Sequence, residues 1–154
     1  MPIDMDSHFF PREALRVAEN FGFRLSRNEK GHELVYVPMA DSFHRMYGPE
    51  YYDLDLRRSA MSEAGYDRQL LICDGGFAPD HVPLETSVNV FRAFNDTVSK
   101  IQKDHEEFIG IADVAHQDPL AAMPDCMITP PGLPIAADRH WGGNDAPRPG
   151  VPYP

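Results

Sequence analysis

Residues 68–76 read Arg-Gln-Leu-Leu-Ile-Cys-Asp-Gly-Gly, and this stretch decides the fold. A short apolar run bounded by turn residues suits a strand covered on both faces, the usual strand of a parallel sheet. Parallel strands need long crossovers, so helices are expected on both sides of it. Upstream, residues 53–64 place Leu56, Ala60, Met61 and Ala64 on one helical face, and Gly65 stops the helix. Downstream, residues 86–104 carry the strongest helical pattern of the chain. There Val90, Phe91, Phe94, Val98 and Ile101 recur at three- and four-residue steps, with polar residues opposite.

The pattern extends outward from this core. Residues 108–114 (FIGIADV) form a second buried-strand candidate, and residues 2–8 a third. Pro11 opens a helix that runs to about Asn20, with Gly22 just past its end. Residues 23–38 predict a hairpin turning at Asn28 to Gly31. Residues 39–52 are aromatic and irregular, and predict a loop or a broken helix. Asp118 and Pro119 resemble the N-cap and first-turn proline of one more helix. Strands alternating with helices predict an α/β fold with a parallel sheet.

The chain has 154 residues, a length that suits one domain. Aspartate and glutamate number 24 against 14 lysines and arginines, a net charge of −10 that argues against binding a phosphate backbone. No run of apolar residues is long enough to span a membrane. Asp4 and Asp6 stand where a signal peptide needs basic residues, and two cysteines make no disulfide scaffold, so a cytoplasmic location is expected. Proline is unevenly spread: eight of the 15 prolines fall within residues 124–154. That density excludes a helix or a central strand. The sequence therefore divides into an α/β part, residues 1–122, and an irregular or disordered tail, residues 123–154.

The chemistry concentrates in Ile3-Asp4-Met5-Asp6-Ser7-His8. Strand side chains alternate, so Asp4, Asp6 and His8 are expected on one face. A carboxylate and an imidazole at i and i+2 near a strand end can grip one divalent ion such as Zn²⁺. The alternative for the same residues is an aspartate capping the following helix beside an exposed histidine. Asp74 and His116 both follow predicted strands, where they face a substrate or, alternatively, bond within their own loops. His32, His44 and His105 are structural or solvated on this pattern, and His81 sits in a loop. Cys73 reads as a small buried apolar residue rather than a nucleophile. Asn95 and Asp96 lie mid-helix, one of them a candidate to bond a neighbouring loop. No glycine-rich phosphate loop is present in the sequence.

The opening run IDMDSHFFP resembles the first barrel strand of the amidohydrolase superfamily, closest to the branch of aminocarboxymuconate-semialdehyde decarboxylase and related metal-dependent decarboxylases. Three further stretches are similar to that family in the expected order: RRSAMSEAGYDRQLLI, FRAFND and FIGIADVAHQDPLAA. The resemblance covers about 120 residues and implies the N-terminal portion of a (β/α)₈ barrel, with its site at the C-terminal ends of the strands. It implies Asp6 and His8 as metal ligands, with Asp74 and His116 as substrate-shell candidates. It further implies a metal-dependent hydrolase or decarboxylase of small carboxylated or cyclic substrates, with zinc as the expected ion. A complete barrel takes about 200 residues or more. The similarity ends near Met123, and the family's later histidine and aspartate ligands have no counterpart; His140 and Asp145 lie in the proline-rich tail. The expectation is a truncated or frame-shifted member, inactive alone, or a short protein whose barrel a partner completes. The alternative class is a non-catalytic module that self-associates through uncovered apolar surfaces.

Overall fold

The computed structural model describes residues 2–38, 43–74, 77, 82–115, 117 and 118. The expectations placed on Gly75, Gly76, His81, His116, Pro119 and residues 123–154, with Cys126, His140 and Asp145, lie outside the described residues. Along the chain run β1 (Ile3–Phe9), α1 (Arg12–Glu19), β2 (Arg24–Arg27), β3 (Glu33–Val37), β4 (Phe43–Met46), a 3-10 turn (Pro49–Tyr51), α2 (Leu54–Ala64), β5 (Arg68–Cys73), α3 (Leu84–Asp104) and β6 (Phe108–Gly110). The fold is α/β, with a parallel sheet in the order β1-β5-β6. Residues 24–46 add a separate antiparallel sheet in the order β2-β3-β4. None of the helices among the described residues is long and apolar enough to cross a membrane.

The parallel sheet follows chain order, and its helices reach it through one face. Ser7 and Phe9 of β1 stand opposite Leu71 and Cys73 of β5, and Gln69 stands opposite Phe108 of β6. This face is buried. Phe94 of α3 packs on Phe9 with ring centroids 6.5 Å apart, Arg57 of α2 lies over the same ring, and α1 packs against α3. The helical stripe read from residues 86–104 explains the contact, because Val90, Phe91, Phe94 and Val98 are all buried. On the opposite face Ile3, Leu70, Ile72 and Ile109 are half-buried.

Local chemistry sets the ends of the elements. The Asp53 carboxylate accepts the N–H groups of Asp55 (2.9 Å) and Leu56 (3.0 Å), which caps α2. Gly65 closes the same helix at φ +77°, a conformation that favours glycine. In the predicted hairpin turn, the Asn28 side chain accepts the N–H groups of Lys30 and His32, each at 3.0 Å.

Three expectations are corrected here. Residues 39–52 hold a strand and a 3-10 turn. β4 pairs with β3, and the Tyr47 hydroxyl donates to the Phe10 carbonyl at 2.8 Å, a bond across 37 residues that no local pattern encodes. The third parallel strand stops at Gly110, not 114. Asn95 of α3 draws the chain away: its amide donates to the Asp113 carbonyl (2.8 Å) and its side-chain oxygen accepts the Asp113 N–H (2.9 Å). That settles Asn95 as the loop-bonding residue and leaves Asp96 exposed. Finally, α2 buries Arg57 and Met61, while Leu56 stays exposed.

Because Phe94 joins α3 to the sheet, Phe94→Ala should lower stability by about 3–5 kcal/mol. Asp53→Ala should cost only about 1 kcal/mol, the usual worth of a cap. Urea unfolding of both variants measures the contrast.

Candidate functional site

β1 is not a regular strand. Asp4 stands opposite Gln69 and Ser7 opposite Leu71, so three steps on β1 match two on β5. This is a β-bulge, and it inverts the alternation of side chains. Its cause is local: the Asp4 carboxylate accepts the Asp6 N–H (3.3 Å), a bond that competes with the ladder. The expectation of Asp4, Asp6 and His8 on one face is therefore corrected. Asp4 turns toward the helices, where it accepts from the Gln69 amide at 2.9 Å. His8, opposite Ile72, faces the other way.

The two remaining ligand candidates stay together. His8 Nε2 lies 3.7 Å from Asp6 Oδ1. Two atoms bound about 2.1 Å from a tetrahedral zinc lie about 3.4 Å apart, so the observed bite is close to the one a metal requires. His8 is 41% exposed and Asp6 87% exposed, which leaves both open to an incoming ion. Among the described residues, no group of three or more His, Cys, Asp or Glu side chains is arranged to hold a metal ion. The pair thus offers two ligands.

Asp74 follows β5 and stands beside His8, with Oδ2 at 4.0 Å from Nδ1. Its side chain is only 1% exposed. Arg45 of β4 holds it: one guanidinium nitrogen donates to both carboxylate oxygens, at 2.8 and 2.9 Å. The buried Asp74 carboxylate therefore stands beside His8, on the side of the ring away from Asp6. Tyr51 lies against both partners; burial, then the Asp74 charge, pushes its phenol up.

Sequence reasoning missed Arg57. Its guanidinium is 7% exposed and donates to the Ser7 hydroxyl, the His8 carbonyl and, at 2.9 Å, the Gln69 side-chain oxygen. All three acceptors are neutral. The His8 carbonyl belongs to the edge of β1 away from β5, since the neighbouring Phe9 carbonyl instead accepts the Asp74 N–H from the β5 side (3.2 Å). Arg57 therefore anchors the backbone of a candidate ligand. Burial lowers its pKa to about 10. The only trace in sequence was the four-residue spacing to Met61, overridden by the apolar reading of Leu56. Arg45 left no trace, because its partner lies 29 residues away.

Beside β1 opens a cleft of about 320 Å³, lined by Asp4, Asp6, His8 and Glu50 together with Tyr51, Leu56, Ala60 and Arg57. Its volume lies at the small end of ligand pockets. Its lining combines three carboxylates with apolar and aromatic groups. No protein-family model matches this chain, and no curated protein matches it.

Arg57→Lys replaces a planar fork with a point charge and should lower stability by about 1–3 kcal/mol in urea unfolding.

Proposed function

We propose that this chain is a truncated member of a metal-dependent hydrolase or decarboxylase family of the amidohydrolase type, inactive alone, with β1-β5-β6 as the opening strands of a (β/α)₈ barrel. The observation that carries the reading is the Asp6–His8 pair, 3.7 Å apart near the C-terminal end of β1. A sheet in chain order, with its helices reaching one face, supports the barrel, since singly wound βαβ units build that architecture. Further ligands come from outside the described residues, because a catalytic zinc takes at least about three protein ligands.

A divalent ion bound at Asp6 and His8 would supply Lewis acidity, for activating water or for polarising a substrate acid. The side chains do the rest. Asp6 carries negative charge to the ion, and His8 offers Nε2. Tyr51, Leu56 and Ala60 give a small unsaturated or cyclic substrate an apolar wall. The acidic cleft and the net charge of −10 point to a small molecule rather than a nucleic acid. A cytoplasmic setting suits the buried thiol of Cys73.

A second reading rests on a separate observation. Ile3, Leu70, Ile72 and Ile109 form a half-buried apolar face opposite the helices. A non-catalytic module would use that face to self-associate or to meet a complementing barrel partner.

Asp6→Ala/His8→Ala should abolish zinc uptake, read by elemental analysis of the purified protein, while urea unfolding stays near wild type because both side chains are largely exposed. Unchanged zinc stoichiometry overturns the metal reading. Light scattering with and without zinc separates the second: a metal-independent oligomer that takes up no zinc favours the module.

A further inference from the structure

We infer that Asp74, clamped by Arg45, is a positioning residue that fixes the tautomer and orientation of His8; this rests on the metal reading above. Neutral imidazole carries its proton on one nitrogen and presents a lone pair on the other. Which nitrogen ligates an ion is decided by the hydrogen bond that the other one makes. Around His8 the two nitrogens face different groups. Nε2 points toward Asp6 at 3.7 Å and Nδ1 toward Asp74 at 4.0 Å. Asp6 is solvated, whereas Asp74 is buried just after β5 and held at both oxygens by Arg45. The fixed carboxylate is the one that can dictate. It favours the proton on Nδ1, which leaves the Nε2 lone pair on the Asp6 side.

The arrangement also explains why the β2-β3-β4 insert belongs to the site. From β4, the Arg45 guanidinium lies over Phe77 at 5.3 Å while Nη2 grips Asp74. The insert thereby reaches His8 through Asp74. A ring turn closes the 4.0 Å separation to a hydrogen bond, and half-exposed His8 has room to make it. Metal-ligating histidines almost always donate their second ring N–H in this way, and loss of the acceptor weakens metal binding by about 10–100-fold.

The test uses the full chain labelled with ¹⁵N, at mildly alkaline pH and without metal, with the His8 ring signals assigned by His8→Ala. The wild type should show the proton on Nδ1. Asp74→Asn should shift the population toward the Nε2–H tautomer and weaken zinc binding by about 10–100-fold in a chelator competition. Should Asp74→Asn fail to fold by circular dichroism, Arg45→Lys serves instead: it keeps the charge, loses the grip on both oxygens, and should shift tautomer and affinity part of the way. A folded variant with the wild-type tautomer and zinc affinity overturns the inference. A wild type that binds no zinc but still holds the Nδ1–H tautomer through Asp74 overturns the metal reading and leaves the positioning intact.

Discussion

The parallel pairing of β1 with β5, broken by one extra residue, sets where each functional group stands. Past the bulge, Phe9 turns into the helix-covered core and His8 turns out of it. Apolar burial of Phe9, Leu71, Cys73 and Phe108 under α3 is what holds the pairing, because it is the largest favourable contribution the sheet has. The polar groups then occupy what the core leaves. Asp4 goes to Gln69, Ser7 to Arg57, and Asp6 stays beside His8 at the surface.

Two arginines brace that strand from opposite sides, and neither does so through an exposed surface pair. Arg57 holds the His8 carbonyl, on the edge of β1 away from β5, and the hydroxyl of Ser7. Arg45 acts on the other side, through Asp74. The site thus depends on long-range contacts from α2 and from the β-hairpin insert, two segments that enter between β1 and β5 in sequence.

Much of the frame was legible in the sequence. The strands at 2–8 and 68–73, the helix stop at Gly65, and the stripe Val90, Phe91, Phe94, Val98 follow from periodicity and turn chemistry, which are local. The site was legible in part. Asp6 and His8 stand 3.7 Å apart, but the bulge between Asp4 and Ser7 turned Asp4 away, with its carboxylate accepting the Asp6 amide. No two-residue period foresees such a capture. Arg57 was hidden because a charged residue counts as solvent-facing until its acceptors are known. Arg45 was hidden because its partner sits 29 residues away, whereas Asn95 was one of two loop-bonding candidates and only its partner, Asp113, was not foreseen. The family likeness seen in the opening strand and three later segments stands as a proposal, carried by geometry at β1.

The most direct measurement is anomalous scattering at the zinc absorption edge from a crystal of the full chain grown with zinc. The account predicts a peak about 2.1 Å from His8 Nε2 that also lies within bonding distance of an Asp6 carboxylate oxygen. A crystal whose only zinc peaks lie away from β1, with His8 and Asp6 turned apart, would contradict it.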